Sequence, residues 1–321
     1  MVRRLVLNAS FLVSLISTGP CLAQDAVTLV RKLLPGQELS YAFHRDLKVS
    51  QSPSGAAEGD QPAAADSSIV QSGTITLTIA AVRDDGVADV RIKFSDLKLT
   101  ADTPDGTQQF DSAATAQPAD EAPEPGADGA ASEPSLLSAL GNALASAPMS
   151  CSIAPDGTVR GLNGYESVIA VLGKAPAEER WLSGMFMPDA LILAIEQLVA
   201  VEGATGPRKP GDGWQTTQRT GLGSAGALEV TTDWRLDSIE NGIAKIVGEE
   251  SLDLLVPQQA DQSSPRVQLG ESSGSSEIAW SVADGALISL RQEQKAATTW
   301  SLGELSVEQQ QVTTFRLERK P

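Results

Sequence analysis

MSCSIAPDGTVRGL, residues 149–162, is a short apolar run, an Asp-Gly corner and a second short apolar run; IAWSVADGALISL, residues 278–290, has nearly the same rhythm. Asp-Gly between alternating apolar residues is a strong local signal for a β-hairpin, because both turn positions must accept positive φ. Val159 and Leu287 each stand two places after the turn glycine, and Leu162 and Leu290 five places after it. With Pro155 counted as one extra residue, Ile153 matches Val282 and Cys151 matches Trp280.

Working outward, the same markers recur in the same order. A Pro-Gly opener leads into an extended segment at 33–49 (LLPGQELSYAFHRDLKV) and again at 208–220 (RKPGDGWQTTQRT). A long alternating hairpin follows each opener. Ile75, Leu77 and Ile79 alternate with Thr74, Thr76 and Thr78; after RDDG, Ala88, Val90, Ile92 and Phe94 alternate with Asp89, Arg91 and Lys93. In the second half Leu228, Val230, Trp234 and Leu236 alternate with Glu229, Thr231, Asp233 and Arg235, and ENG turns the chain toward Ala244 and Ile246. A period of two with one apolar phase predicts antiparallel sheet with one buried face. The shared order predicts one module written twice.

Between the halves the period changes to that of helices. Asn163 and Glu166 fit a capping box ahead of Val168, Ile169 and Leu172, with Gly173 as the stop. Pro176 opens a second short helix through Trp181, and Pro188 a third whose face is Leu191, Ile195, Leu198 and Val199. Leu136 to Leu144 forms a further short apolar helix. Residues 50–68 and 101–134 hold almost no large apolar side chains, so ordering them recovers little burial, and they read as flexible loops; 257–275 is a weaker case. The expected fold is α+β and β-dominated: two related antiparallel β-sheet halves, half-barrel-like, with a helical connecting segment. Residues 24–162 are the first half, 163–203 the connector and 204–321 the second half.

Residues 1–23 read as a secretory leader: Arg3 and Arg4, an apolar run over Leu5–Ile16, then Cys21 and Ala23 at the small-residue places before the cut. This predicts a periplasmic or extracellular protein. Cys21 as a lipidated cysteine is the minor alternative, since Pro20 before it fits that signal poorly. Loss of the leader takes the formal charge from −17 to −19 and leaves Cys151 as the single cysteine, so no internal disulfide is expected. So acidic a surface repels nucleic acid and anionic headgroups. Past the leader no stretch reads as a membrane span; the most apolar, 185–201, is interrupted by Pro188, Asp189 and Glu196.

The chemistry-bearing residues are few. The one histidine, His44, lies in the first predicted strand, so a Ser-His-Asp or Cys-His arrangement or a His/Cys zinc site has little to build on. GLGSAG at 221–226 fits a dinucleotide glycine pattern, yet ALEVTTDWRL after it reads as strand where a helix is required. No catalytic, cofactor-binding or metal site is therefore assigned, and no cofactor is expected. Trp181, Met185 and Phe186 are the candidate ligand-binding residues: they either line a cavity between the helices and a curved sheet or plug the core there.

Pro35-Gly36, Asp156-Gly157-Thr158-Val159, Pro210-Gly211-Asp212-Gly213-Trp214 and Asp284-Gly285 together resemble an uncharacterised family of exported bacterial proteins, a domain of unknown function, over about residues 30–320. The resemblance implies two β-rich halves and export, and no activity. The function expected is that of a non-catalytic envelope protein, a binding or structural module whose partner is an envelope component or a hydrophobic small molecule. A periplasmic carrier of lipid and a carboxylate-based hydrolase of envelope glycans are the alternatives.

Overall fold

The alternating segments form long antiparallel strands. The computed structural model describes residues 26–29, 31–54, 64–115, 135–175, 186–201, 203–204, 206–221, 226–256, 266–302 and 305–321. In chain order the elements of the first half are β1 (Val27–Thr28), β2 (Glu38–Ser54), β3 (Ala65–Val82), β4 (Ala88–Thr103), β5 (Gly106–Asp111), α1 (Ser112–Thr115), α2 (Leu136–Ser146), β6 (Met149–Ile153) and β7 (Val159–Asn163). The helices α3 (Glu166–Leu172) and α4 (Pro188–Val199) follow. Then come β8 (Pro207–Arg208), β9 (Gly213–Gly221), β10 (Ala227–Glu240), β11 (Ile243–Leu255), β12 (Arg266–Ser281), β13 (Ala286–Leu302) and β14 (Leu305–Arg319).

One sheet holds nearly all of them, in the order β9-β10-β11-β12-β13-β14-β2-β3-β4-β6-β7, with β5 paired to the far part of β4. Only β1 and β8 stand apart, as a small ribbon. The end strands β7 and β9 do not pair with each other, so the sheet stays open. The two halves are thus fused edge to edge: β14 pairs with β2, placing Phe315 opposite Arg45. Fusion removes two edges that would otherwise present unpaired backbone groups.

The openers of the two halves make the same hydrogen bonds. Gly36 (φ +78°) and Gly211 (φ +92°) turn the chain in the left-handed region. Gly36 N–H donates to Ile79 O at 2.8 Å and Gly211 N–H to Leu236 O at 2.7 Å; the reverse bonds run from Ile79 to Gln37 and from Leu236 to Asp212. A bulge follows Ile79 in β3 and Leu236 in β10. Cys151 lies opposite Val90 as Ile278 lies opposite Ile246, and Ile153 opposite Ala88 as Trp280 opposite Ala244. Cys151 therefore corresponds to Ile278, and Ile153 to Trp280. The alignment of Cys151 with Trp280 and Ile153 with Val282 is displaced by two residues, because ladder register and not the turn glycine sets equivalence.

Ladder pairing reaches into the stretches expected as flexible loops. β2 runs on to Ser54 and β3 starts at Ala65, with Gln51 opposite Ala65; only 55–63 lie outside the described residues. A backbone ladder continues where the apolar alternation has ended, since pairing needs no apolar side chain. Within 101–134, Pro104-Asp105 turns β4 into β5, and Phe110 packs against the bare backbone of Gly141 in α2. Residues 116–134 and 257–265 lie outside the described residues, and 266–275 belong to β12. Asn163 ends β7 and does not cap α3; Tyr165 takes the cap position without a side-chain bond, because Gly164 at φ +78° redirects the chain first. The expected helix from Pro176 lies outside the described residues.

The core gathers on one face of the sheet. Tyr41, Ile69, Leu77, Ile79, Leu97, Met149, Ile153 and Trp280 are its large fully buried strand residues. On the first half, α2 covers this face with Leu137 and Leu140. On the second half the same face is left to α4.

Candidate functional site: the hollow beneath α4

Helix α4 starts where its sequence says it should. Pro188 fills the first turn, where a missing N–H costs nothing, Asp189 complements the N-terminal dipole, and Ile195, Leu198 and Val199 are buried. Its lead-in is held by Tyr165, whose hydroxyl donates to Phe186 O at 2.6 Å. Its far end is held by Glu196, which accepts from Val159 N–H at 2.9 Å. Gly157, in the β6–β7 turn, lies so close to Ala200 that an added Cβ would overlap it. The helix is pinned to the first half and projects over the second.

Two hollows lie against it. The larger, about 540 Å³, is walled by Ala190, Leu193, Ala194 and Gln197 of α4, by the β6–β7 turn, and by the inner face of β9 to β14. This is within the range of small-molecule sites. Its wall is mixed: Leu228, Val230, Trp234 and Ile278 are apolar, whereas Thr232, Glu250, Ser276, Gln292 and Thr313 are polar. The smaller, about 120 Å³, is lined mostly by apolar side chains, among them Phe43, Phe94, Leu97 and Phe186, with Gln71 and Tyr165 as polar members. Arg45, Ala190, Ala194 and Phe315 line both, so these four residues form the partition between a mixed chamber and an apolar one.

Arg45 is the unusual member. In β2 the inward phase is Leu39, Tyr41, Phe43, Arg45, Leu47 and Val49, a single cation in an apolar series. One register row across the sheet runs Trp234, Gly248, Ser276, Gln292, Phe315, Arg45, Gln71, Leu99, so its cross-strand neighbours are a phenyl ring and an amide. Among the described residues Arg45 makes no hydrogen bond and no ion pair. Burial pulls its pKa below the ordinary arginine value. The side chain is half-buried, and a guanidinium so placed stays charged and keeps its N–H donors free toward the hollow.

The acids of the larger hollow are already engaged. Glu250 accepts from Ser276 Oγ at 2.8 Å and from Nε2 of Gln292 and Gln294 at 2.8 and 3.2 Å. Its side chain lies over Gly274, where a Cβ would collide with it. Glu196 holds Val159, and Asp156 accepts from Thr158 N–H within its own turn, which keeps its carboxyl below the usual range.

Of the sequence candidates, Phe186 is buried and lines the apolar chamber, while Trp181 and Met185 lie outside the described residues. His44 points away from the hollow and is exposed. Cys151 is buried, and loss of solvent pushes its thiol up to about 11. Gly221 and Ala227 pair across β9 and β10, so GLGSAG joins two strands; its residues 222–225 lie outside the described set. Sequence reasoning missed Arg45. The signal was present, as the one charge in the inward phase of LSYAFHRDLKV.

No family model matches the chain, and no curated protein does. A solved structure titled lipid-protein interactions in lipovitellin is similar at 11% identity and a TM-score of 0.42, covering 90% of this chain and 26% of that one. The outer membrane protein OprG from Pseudomonas aeruginosa is similar at 7% identity and a TM-score of 0.22, covering 91% and 99% of the two chains. OpdQ from the same organism is similar at 8% identity and a TM-score of 0.22, covering 88% and 98%. This chain spans about a quarter of the lipovitellin chain. At these TM-scores the likenesses assign no function.

Proposed function

We propose that this protein is an exported, non-catalytic carrier that holds a hydrophobic or amphiphilic small molecule between α4 and the open sheet. The observation that carries the reading is the pair of hollows meeting beneath Ala190 and Ala194, one lined mostly by apolar side chains. A core built only for stability closes to near crystal density, whereas a space of this size is retained where something enters it. Three further features agree. The sheet is open, the acids of the larger hollow are each bound to a structural donor, and residues 1–23 read as a secretory leader. The matching openers and bulges support descent of the two halves from one unit, in which α2 fills one copy and the other is left for cargo.

Purification from the envelope fraction, followed by native mass spectrometry and organic extraction, tests the reading. A co-purifying amphiphile, or uptake of the neutral dye Nile red by the stripped protein, is expected. Ala194→Phe, which places a ring at the partition, is expected to abolish uptake while leaving the unfolding midpoint close to that of the native chain. An empty protein that takes up no dye would overturn the proposal.

A further inference from the structure

We infer that the molecule carried has an anionic head, a carboxylate or a phosphate, seated on the guanidinium of Arg45, with its chain lying against the apolar walls of the two hollows that meet there. This rests on the carrier reading and adds the chemical class of the cargo. The placement of Arg45 carries it. The side chain stands at the boundary of the two hollows, in the inward phase of β2, between Phe315 on one strand and Gln71 on the other.

Among the described residues no group neutralises it. Glu250 is four strands away, about 19 Å along the sheet at about 4.8 Å per strand, and its oxygens are taken by Ser276, Gln292 and Gln294. The strand neighbours on the inner face, Phe43 and Leu47, are apolar, and the residues of α4 that line the partition are alanines. A half-buried cation without a protein partner is partly desolvated, and an arriving anion takes up its unused donors. Guanidinium offers two parallel N–H donors that match carboxylate and phosphate. Phe43, Phe94 and Leu97 then receive the chain on the side away from the polar wall, while Thr313, two residues before Phe315 on β14, borders the head.

The test compares three ligands with one tail, decanoate, decyl phosphate and decanol, as displacers of Nile red from the full mature chain. With the native protein the anions are expected to displace at concentrations at least about tenfold below decanol, the factor of one charge-assisted hydrogen bond. Arg45→Met should bring the three together without weakening decanol, and Arg45→Lys should retain part of the preference, since it keeps the charge and loses the fork. Preference between decanoate and decyl phosphate names the head. Equal displacement by all three in the native protein would overturn the inference and leave the carrier standing; this arm needs no variant to fold. Dye binding that none of the three displaces, or no dye binding, would remove the carrier reading together with the inference.

Discussion

Glu196, in the last turn but one of α4, accepts the backbone N–H of Val159 at 2.9 Å across 37 residues of chain. This contact anchors the helix that spans the hollow to the Asp-Gly turn of the first half. A carboxylate on a backbone donor contributes about 1.5–3 kcal/mol. Glu196→Ala is expected to lower stability by that amount in urea unfolding, and Glu196→Gln by less. The amide of Val159 should exchange with solvent faster in the alanine variant; unchanged exchange would mean that the helix is held by packing alone.

The two Pro-Gly openers allow a comparison within one molecule. Gly36 and Gly211 both have positive φ, and nothing lies within 4 Å of where a Cβ would sit on either. Replacement by alanine therefore meets conformational cost only, about 1–2 kcal/mol at each site. Chemical denaturation of Gly36→Ala and Gly211→Ala should give losses that agree closely. A large inequality would show that the openers carry different loads.

Gly141 reverses a familiar rule. Glycine to alanine within a helix normally stabilises by up to about 1 kcal/mol. Here the added methyl would occupy the ring of Phe110, which packs on the bare α2 backbone. Gly141→Ala should destabilise by about 1–3 kcal/mol through overpacking. Combining it with Phe110→Leu should recover part of the loss, and a double-mutant cycle measures the coupling.

Cys151 gives a pH signature. Its thiol titrates at about 11 in the folded protein against an ordinary 9.0, because burial disfavours the thiolate. The unfolded chain loses this proton first, so the contribution is complete below pH 9 and is lost as pH rises toward 11. Compared with Cys151→Val, the native chain should lose stability across that window, on the order of 2–3 kcal/mol. Iodoacetamide at neutral pH should leave the folded thiol unmodified. Rapid alkylation, or parallel stability curves for the two proteins, would contradict the burial.

The strands and their inward faces were legible because they depend on neighbours in sequence. Alternation in Ile75–Ile79 and Leu228–Leu236, the turns at Gly86 and Asn241-Gly242, and the first turn of α4 at Pro188 all express local rules of backbone freedom and side-chain period. Residues 101–111 misled for the converse reason: TPDGTQQF carries a turn but one large apolar residue, and its hairpin is held by the ladder to β4 and by Phe110 on Gly141.

What lay beyond the sequence was every relation between distant segments. The pairing of β14 with β2 joins residues about 270 positions apart and turns two expected halves into one sheet. The register that makes Cys151 the counterpart of Ile278 is a property of the ladder. Composition marks Arg45 as a charge among apolar residues, yet only three-dimensional packing decides whether an acid stands opposite it, because its cross-strand neighbours, Phe315 and Gln71, come from other parts of the chain. The period of the chain determined which side chains face inward; the assembly of the sheet under α4 decided that one of them, a cation, faces the hollow with no partner among the described residues.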